Sequence, residues 1–286
     1  MPIASVPSVR SHKVRNGSPP LVMVTAYDAP SARIASEAGV DLILVGDSVA
    51  MVVLGYEDTL RVSTDDMVHH TAAVARVRPA PLIVADLPWM SYHLSVQNTL
   101  RNAARLIRAG AQAVKLEGGG KRADQVKALV DAEIPVMGHI GLTPQSLHAM
   151  GGFRVQARSE AAVAALVEDA TELTAAGAFG LVLEGVPDAA AAYVTHAIEI
   201  PTIGIGAGPD CDGQVLVFHD LLGLEERVRP KFVRRYEELA RRASAAMARY
   251  AADVRAHRFP GEAETYHASE ELAETIALYG SKQSAG

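Results

Sequence analysis

The sequence predicts an α/β protein built as a (β/α)8 TIM barrel in one domain. Short β-branched apolar runs alternate with Ala-rich helical stretches in an uninterrupted rhythm, and the apolar runs are continuous where a half-exposed strand would alternate. Continuous hydrophobicity marks strands buried on both faces, which means a parallel sheet under helices. There are eight such runs. A doubly wound sheet usually has fewer strands and a glycine-rich first turn, and the first turn here is AYDAPSA, with no GxGxxG.

In chain order the expected strands are LVMVTAYD (21–28), VDLILVGD (40–47), PLIVADLP (81–88), AVKLEGG (113–119), PVMGHIGL (135–142), GLVLEGV (180–186), PTIGIGAG (201–208) and QVLVFHD (214–220). Between them lie APSARIASEAG, TDDMVHHTAAVARV, VQNTLRNAARLIRAG, KRADQVKALVDAE and SEAAVAALVEDATELTAAG, which read as helices. Gly39, Gly110 and Gly177 stand where a helix C′ glycine is expected. Residues 230–257 read as a long basic amphipathic helix packed outside the barrel, with a solvated face favoured over a membrane or partner surface. The first 20 residues form a polar lead-in without the apolar core of a signal peptide, and residues 269–286 a flexible tail.

Nearly half of the 286 residues are hydrophobic, enough for a large core, and the net charge of -6 offers no basic field to nucleic acid or anionic lipid. The single cysteine, Cys211, forbids an internal disulfide and suits a reducing cytoplasm. The longest apolar stretch is broken by Asp47 and Ser48, so no membrane span is expected.

Polar residues gather at the strand ends. Tyr27 and Asp28 close the first run, Asp47 and Ser48 the second, and Asp86 the third. Lys115 and Glu117 lie in the fourth, His139 in the fifth and Glu184 in the sixth. In a barrel the carboxyl ends of all strands share one mouth, where active sites are built. Each residue also has a bland reading. A lone Asp is more often a cap, Lys115 and Glu117 can form a structural ion pair, and a lone His is usually a satisfied core residue. A carboxyl among apolar neighbours, as in LVLEGV, suits a general base near neutral pH. Several carboxylates without a Cys/His pattern favour a hard cation such as Mg²⁺, which can chelate a 2-oxo acid and stabilise its enolate. Lys115 reads as a charge-stabilising cation more readily than as a Schiff-base nucleophile, because a carboxylate lies two residues away. The loop GIGAGPDCDGQ (204–214) reads either as a phosphate cradle or as a place of close backbone approach. Cys211 within it has no obvious activating neighbour.

Long motifs in order carry a resemblance. VTAYDAPSARIASEAGVDLILVGDS, GYEDTLRVSTDDMVHHTAAVARV, IVADLPW, AVKLEGG, VMGHIGLTPQS, LVLEGVP, IGIGAGPDCDGQVLVFHDLLG and PKFVRRY together resemble the ketopantoate hydroxymethyltransferase family of pantothenate synthesis. The resemblance implies a Mg²⁺-binding barrel, assembled as a homodecamer. It implies transfer of a hydroxymethyl group from 5,10-methylenetetrahydrofolate to 3-methyl-2-oxobutanoate. It also assigns Asp47, Asp86 and Glu117 to the metal, and Asp47, Ser48, Asp86 and Lys115 to the oxo acid. Glu184 becomes the proton acceptor, and His139 a residue close to the substrate. AYDAPSARIASEAG also resembles phosphoenolpyruvate mutase and isocitrate lyase enzymes, the alternative class, which usually carry a catalytic cysteine loop. A non-catalytic barrel binding phosphorylated ligands through GIGAG is the third reading.

Overall fold

The computed structural model describes residues 5–225, 227 and 230–283, with side chains to residue 276. Eight parallel strands close into a barrel in sequence order, β8 pairing back to β1. A short helix α1 (Val6–Arg10) precedes β1 (Leu21–Thr25), α2 (Ala29–Glu37), β2 (Leu42–Val45), α3 (Val49–Val52) and α4 (Thr64–Ala75). Then come β3 (Leu82–Asp86), α5 (Val96–Arg108), β4 (Ala113–Glu117), α6 (Ala123–Asp131), β5 (Val136–Gly141) and α7 (Leu147–Met150). The barrel ends with α8 (Glu160–Ala175), β6 (Gly180–Glu184), α9 (Asp188–Ala197), β7 (Thr202–Ile205), β8 (Gly213–Leu216) and α10 (Phe218–Leu221). All eight expected strands and all five expected helices are present.

Strand parity sorts the interior into two cores, because successive side chains point to opposite faces. Ile43, Val45, Ile83, Val114, Leu116 and Leu183 face outward and pack with helix residues such as Met67, Leu106 and Leu173. Met23, Leu42, Leu44, Val84, Met137 and Val182 take the other parity and fill the lumen. The helices start where short polar side chains cap them: Asp28 accepts from the Ser31 N–H, and Ser63, Ser95 and Ser159 do the same for α4, α5 and α8.

The polar lead-in helps to plug the barrel. Val9 on α1 is fully buried in the lumen core, beside Leu21 and Phe179 at the amino ends of their strands. Lys13, further along the lead-in, is buried against α9 and the starts of β7 and β8, where it spends three donors on Asp212 Oδ2 (2.6 Å), Thr195 O (2.8 Å) and Ile200 O (3.2 Å). Asp212 also accepts from the Val14 and Thr202 N–H groups. The ion pair is thus fully enclosed by partners, as a buried charge requires.

The β7–β8 connection, residues 206–212, holds no helix, and its glycines serve close approach. A Cβ on Gly208 (φ 78°) would stand 2.5 Å from Asp188 Cβ, and one on Gly206 would stand 2.7 Å from the Phe232 ring. That ring explains a correction to the expected helix over 230–257. The stretch around Phe232 lies against the barrel loop, and the helix α11 is confined to Leu239–Arg255. Helix α9 was not anticipated; its alanine run lacks a capping side chain.

The chain divides into two compact units, Met1–Glu237 and Glu238–Gly286. The second unit contains α11 and α12 (Glu270–Gln283), so the segment expected as a tail carries a helix. Within it the Tyr250 and Phe259 rings meet edge to face, 5.3 Å apart. Among the described residues no helix is long and apolar enough to cross a membrane.

Removing one partner of an enclosed ion pair strands the other charge. Asp212→Ala is expected to lose about 3–5 kcal/mol of unfolding free energy in urea titration. The double substitution Lys13→Met/Asp212→Leu should recover most of it. A single-variant loss below about 1 kcal/mol would refute this account of the barrel floor.

Candidate functional site

Continuing the lumen parity toward the carboxyl ends leads out of the apolar layers and into charge. Leu82 and Val84 are followed on the same face by Asp86, Ala113 by Lys115 and Glu117, Met137 by His139, and Val182 by Glu184. Neighbouring strands set these groups in register: Asp86 pairs with Lys115, Glu117 with His139, and His139 with Val182, two residues before Glu184. On β2 the equivalent position after Leu42 and Leu44 is Gly46. A Cβ there would lie 2.8 Å from Ser48 Oγ, so the missing side chain makes room for the Ser48 hydroxyl, with Asp86 Oδ2 in ordinary contact distance at 3.6 Å.

The groups interlock. Lys115 Nζ stands 2.9 Å from Asp86 Oδ1, close as an ion pair yet off the hydrogen-bond line, so that oxygen has no hydrogen-bond partner. Asp86 Oδ2 accepts from the Asp47 N–H at 3.0 Å. His139 lies between two carboxylates, with Nδ1 3.3 Å from Glu117 Oε1 and Nε2 3.3 Å from Glu184 Oε2. The Ser48 hydroxyl meets the Tyr27 hydroxyl at 2.8 Å. Asp47, Asp86, Lys115, Glu117 and His139 are all buried, while Glu184 stands at the lip with its side chain 16 % exposed.

Burial and mutual charge set the protonation pattern. Burial opposes the Lys115 ammonium, but the Asp86, Glu117 and Asp47 carboxylates outweigh it and hold the pKa above the usual lysine value. Burial and Lys115 push His139 down, while Glu117 and Glu184 push it up, for a net value of about 9. Glu117 is lowered: burial raises it, but His139, Lys115 and the Gln145 N–H prevail. Asp47 is raised well above the usual carboxylate range by burial and then by Asp86 and Glu117. Asp86 is also raised by burial, against the pull of Lys115. Burial, helped at Asp47 by the neighbouring carboxylates, thus opposes ionisation of both aspartates in this corner. All-oxygen donors, one of them a buried oxygen met by the Lys115 ammonium alone, fit a hard divalent cation. Among the described residues no three His, Cys, Asp or Glu side chains converge as a ready-made ligand set. Glu117 places Oε1 toward His139 and accepts from the Gln145 N–H at Oε2.

The structure brings together at one mouth the seven residues singled out from the sequence: Asp47, Ser48, Asp86, Lys115, Glu117, His139 and Glu184. Asp28 follows its bland reading as the cap of α2. Cys211 is buried and free, and burial raises its pKa, which does not suit a nucleophile. Two participants were missed. Gln145 donates to Asp47 Oδ2 at 2.8 Å, and Tyr92 meets Gln145 Oε1 at 2.6 Å. Gln145 stands inside the GHIGLTPQ motif, the only signal that pointed to it; Tyr92 gave none.

The profile of the ketopantoate hydroxymethyltransferase family matches residues 5–262. The 3-methyl-2-oxobutanoate hydroxymethyltransferase of Moorella thermoacetica is 54% identical over 263 residues, covering 92% of this chain and 97% of that protein. Among solved structures, 2,3-dimethylmalate lyase, a PEP mutase/isocitrate lyase superfamily member, superposes with TM-score 0.58 at 21% identity, covering all of both chains. A phosphonopyruvate hydrolase complex with oxalate and Mg²⁺ superposes with TM-score 0.59 at 15% identity, covering 100% of this chain and 97% of that one. At such identities these two likenesses speak for the barrel alone. The match along nearly the whole chain puts this protein in the ketopantoate hydroxymethyltransferase family.

Proposed function

We propose that the mouth of the barrel carries hydroxymethyl transfer from 5,10-methylenetetrahydrofolate to 3-methyl-2-oxobutanoate, giving 2-dehydropantoate, with Glu184 as the base. The observation that carries this is the convergence of Glu184, His139, Lys115 and the aspartate pair at one mouth of a barrel belonging to this family. Asp47 and Asp86 would hold Mg²⁺, with Glu117 supporting the site through His139 and Gln145. When bound, the ion would draw negative charge from the oxygens of the oxo acid. Phosphonopyruvate hydrolase, a barrel of the same fold, binds oxalate with Mg²⁺.

The chain's own groups supply the rest. Lys115, kept charged by its carboxylate neighbours, faces the substrate carboxylate and is no amine nucleophile. Ser48, steadied by Tyr27, borders the same pocket. Glu184 takes the proton from C3 of the oxo acid, with His139 Nε2 standing 3.3 Å from its carboxylate. The carbon so activated attacks the methylene carbon of the folate donor, forming the new C–C bond, and water supplies the hydroxyl oxygen as the donor nitrogen departs. We further infer a cytoplasmic homodecamer, as the family resemblance implies; sedimentation velocity tests the assembly. The lyase reading rests on the AYDAPSARIASEAG likeness and on the shared barrel fold, and the buried Cys211 offers no catalytic cysteine loop.

Glu184→Gln should lower deuterium exchange at C3 of the oxo acid, without folate, by about 10²–10⁴-fold while substrate binding persists. Normal exchange would remove Glu184 from the role. Lys115→Met should slow the same exchange about 10²–10³-fold, as loss of a charge-stabilising donor does. An unchanged rate would leave that lysine a purely structural partner of Asp86. Calorimetric titration of Mg²⁺ into Asp86→Ala should show markedly weaker binding, and equal affinity would sink the ligand assignment.

A further inference from the structure

Gln145 stands on the loop after β5, buried, with its whole amide engaged. Nε2 donates to Asp47 Oδ2 at 2.8 Å and to Leu87 O at 3.0 Å. The backbone N–H donates to Glu117 Oε2 at 2.9 Å. Oε1 lies 2.6 Å from the Tyr92 hydroxyl, which also lies 3.2 Å from both the N–H and the O of Glu117. A phenol has one proton to give. With the Glu117 N–H donating to Tyr92, the shorter contact takes the Tyr92 proton to Gln145 Oε1. Burial raises the Tyr92 pKa, so the hydroxyl keeps that proton.

The two ends of a glutamine amide are chemically opposite. Leu87 O only accepts, so the NH₂ must face it; Tyr92 donates, so Oε1 must face it. A flipped amide would set an acceptor against the Leu87 carbonyl and a donor against the Tyr92 donor. The surrounding network therefore dictates the orientation of Gln145, and through it which oxygen of Asp47 is occupied.

We propose that Gln145, oriented by Tyr92, is a positioning residue that holds Asp47 by Oδ2 and Glu117 by Oε2, leaving Asp47 Oδ1 as the oxygen free to coordinate the cation. The proposal rests on the reading of Asp47 as a cation ligand. It makes the β5 loop part of the cation site, although the loop contributes no ligand itself. Supporting hydrogen bonds of this kind tune affinity by holding a ligand in place.

The test titrates Mg²⁺ alone into the full chain and three variants by calorimetry, with melting temperatures recorded alongside. Gln145→Met keeps length and removes every side-chain hydrogen bond; it should raise the Mg²⁺ Kd about 10–100-fold. Tyr92→Phe keeps the ring and leaves Gln145 Oε1 without its donor, so the amide is held at one end only, and it should raise the Kd in the same direction by a smaller factor. Saturating Mg²⁺ should restore deuterium exchange in both variants, a recovery that simple loss of loop packing would not produce. Asp47→Asn is the control. If it weakens Mg²⁺ binding while Gln145→Met and Tyr92→Phe stay within about twofold of the parent, the positioning role is overturned and the ligand reading stands. If Asp47→Asn also binds normally, the ligand reading falls and takes the proposal with it. Should Gln145→Met fail to fold, Tyr92→Phe decides alone.

Discussion

Alternation along a strand leaves every second side chain facing the lumen, and in a closed barrel that parity is shared by all eight strands. The same parity that fills the lower lumen with Leu42, Val84, Met137 and Val182 delivers Asp86, Lys115, Glu117, His139 and Glu184 one layer higher. A slip of one residue in any of these strands would turn its charged group outward into the helix layer and bring an apolar residue to the mouth. The site is thus held by the backbone ladder, and its side chains need only short reaches to meet. Their contacts of 2.9 to 3.3 Å follow from register.

Burying so many ionisable groups is tolerable because each neutralises another. Lys115 answers Asp86, and His139 answers Glu117 and Glu184, while burial opposes ionisation of the Asp47 and Asp86 carboxyls in one corner. That crowding is costly in the protein alone and would be relieved by a bound cation. At the amino ends of β7 and β8, on the side that faces α9, the ion pair of Lys13 and Asp212 is closed by partners and carries no such excess need. The barrel therefore separates tasks along its axis, a satisfied floor for stability and an unsatisfied mouth for binding.

Much of this was legible in the residues. Continuous apolar runs marked the strands, since burial on both faces leaves no polar alternation, and charged residues inside those runs stood out as anomalies. Motif order then tied the anomalies to a family. Neutral or solitary features escaped. Gln145 and Tyr92 carry no charge and lie on loops, where polar and aromatic residues are ordinary, so only three-dimensional contacts with Asp47 and Glu117 reveal them. Val9 and Lys13 lie in a polar segment whose partners are distant in sequence, and residues around Phe232 have helical composition but are claimed by the space over Gly206. Local pattern cannot report a contact made across the chain.

The floor pair also has a temporal side. Lys13 and Asp212 are 199 positions apart, and β1 gains its second neighbour only when β8 exists. At a synthesis rate of about 5–20 residues per second, the lysine waits roughly 10–40 s before its aspartate is made. During that interval β1 has one open edge and the nascent sheet is a curved, unclosed wall. The lead-in residues can complete the floor only after the last strand leaves the ribosome, so the N-terminus of this chain is among the last parts to find its place.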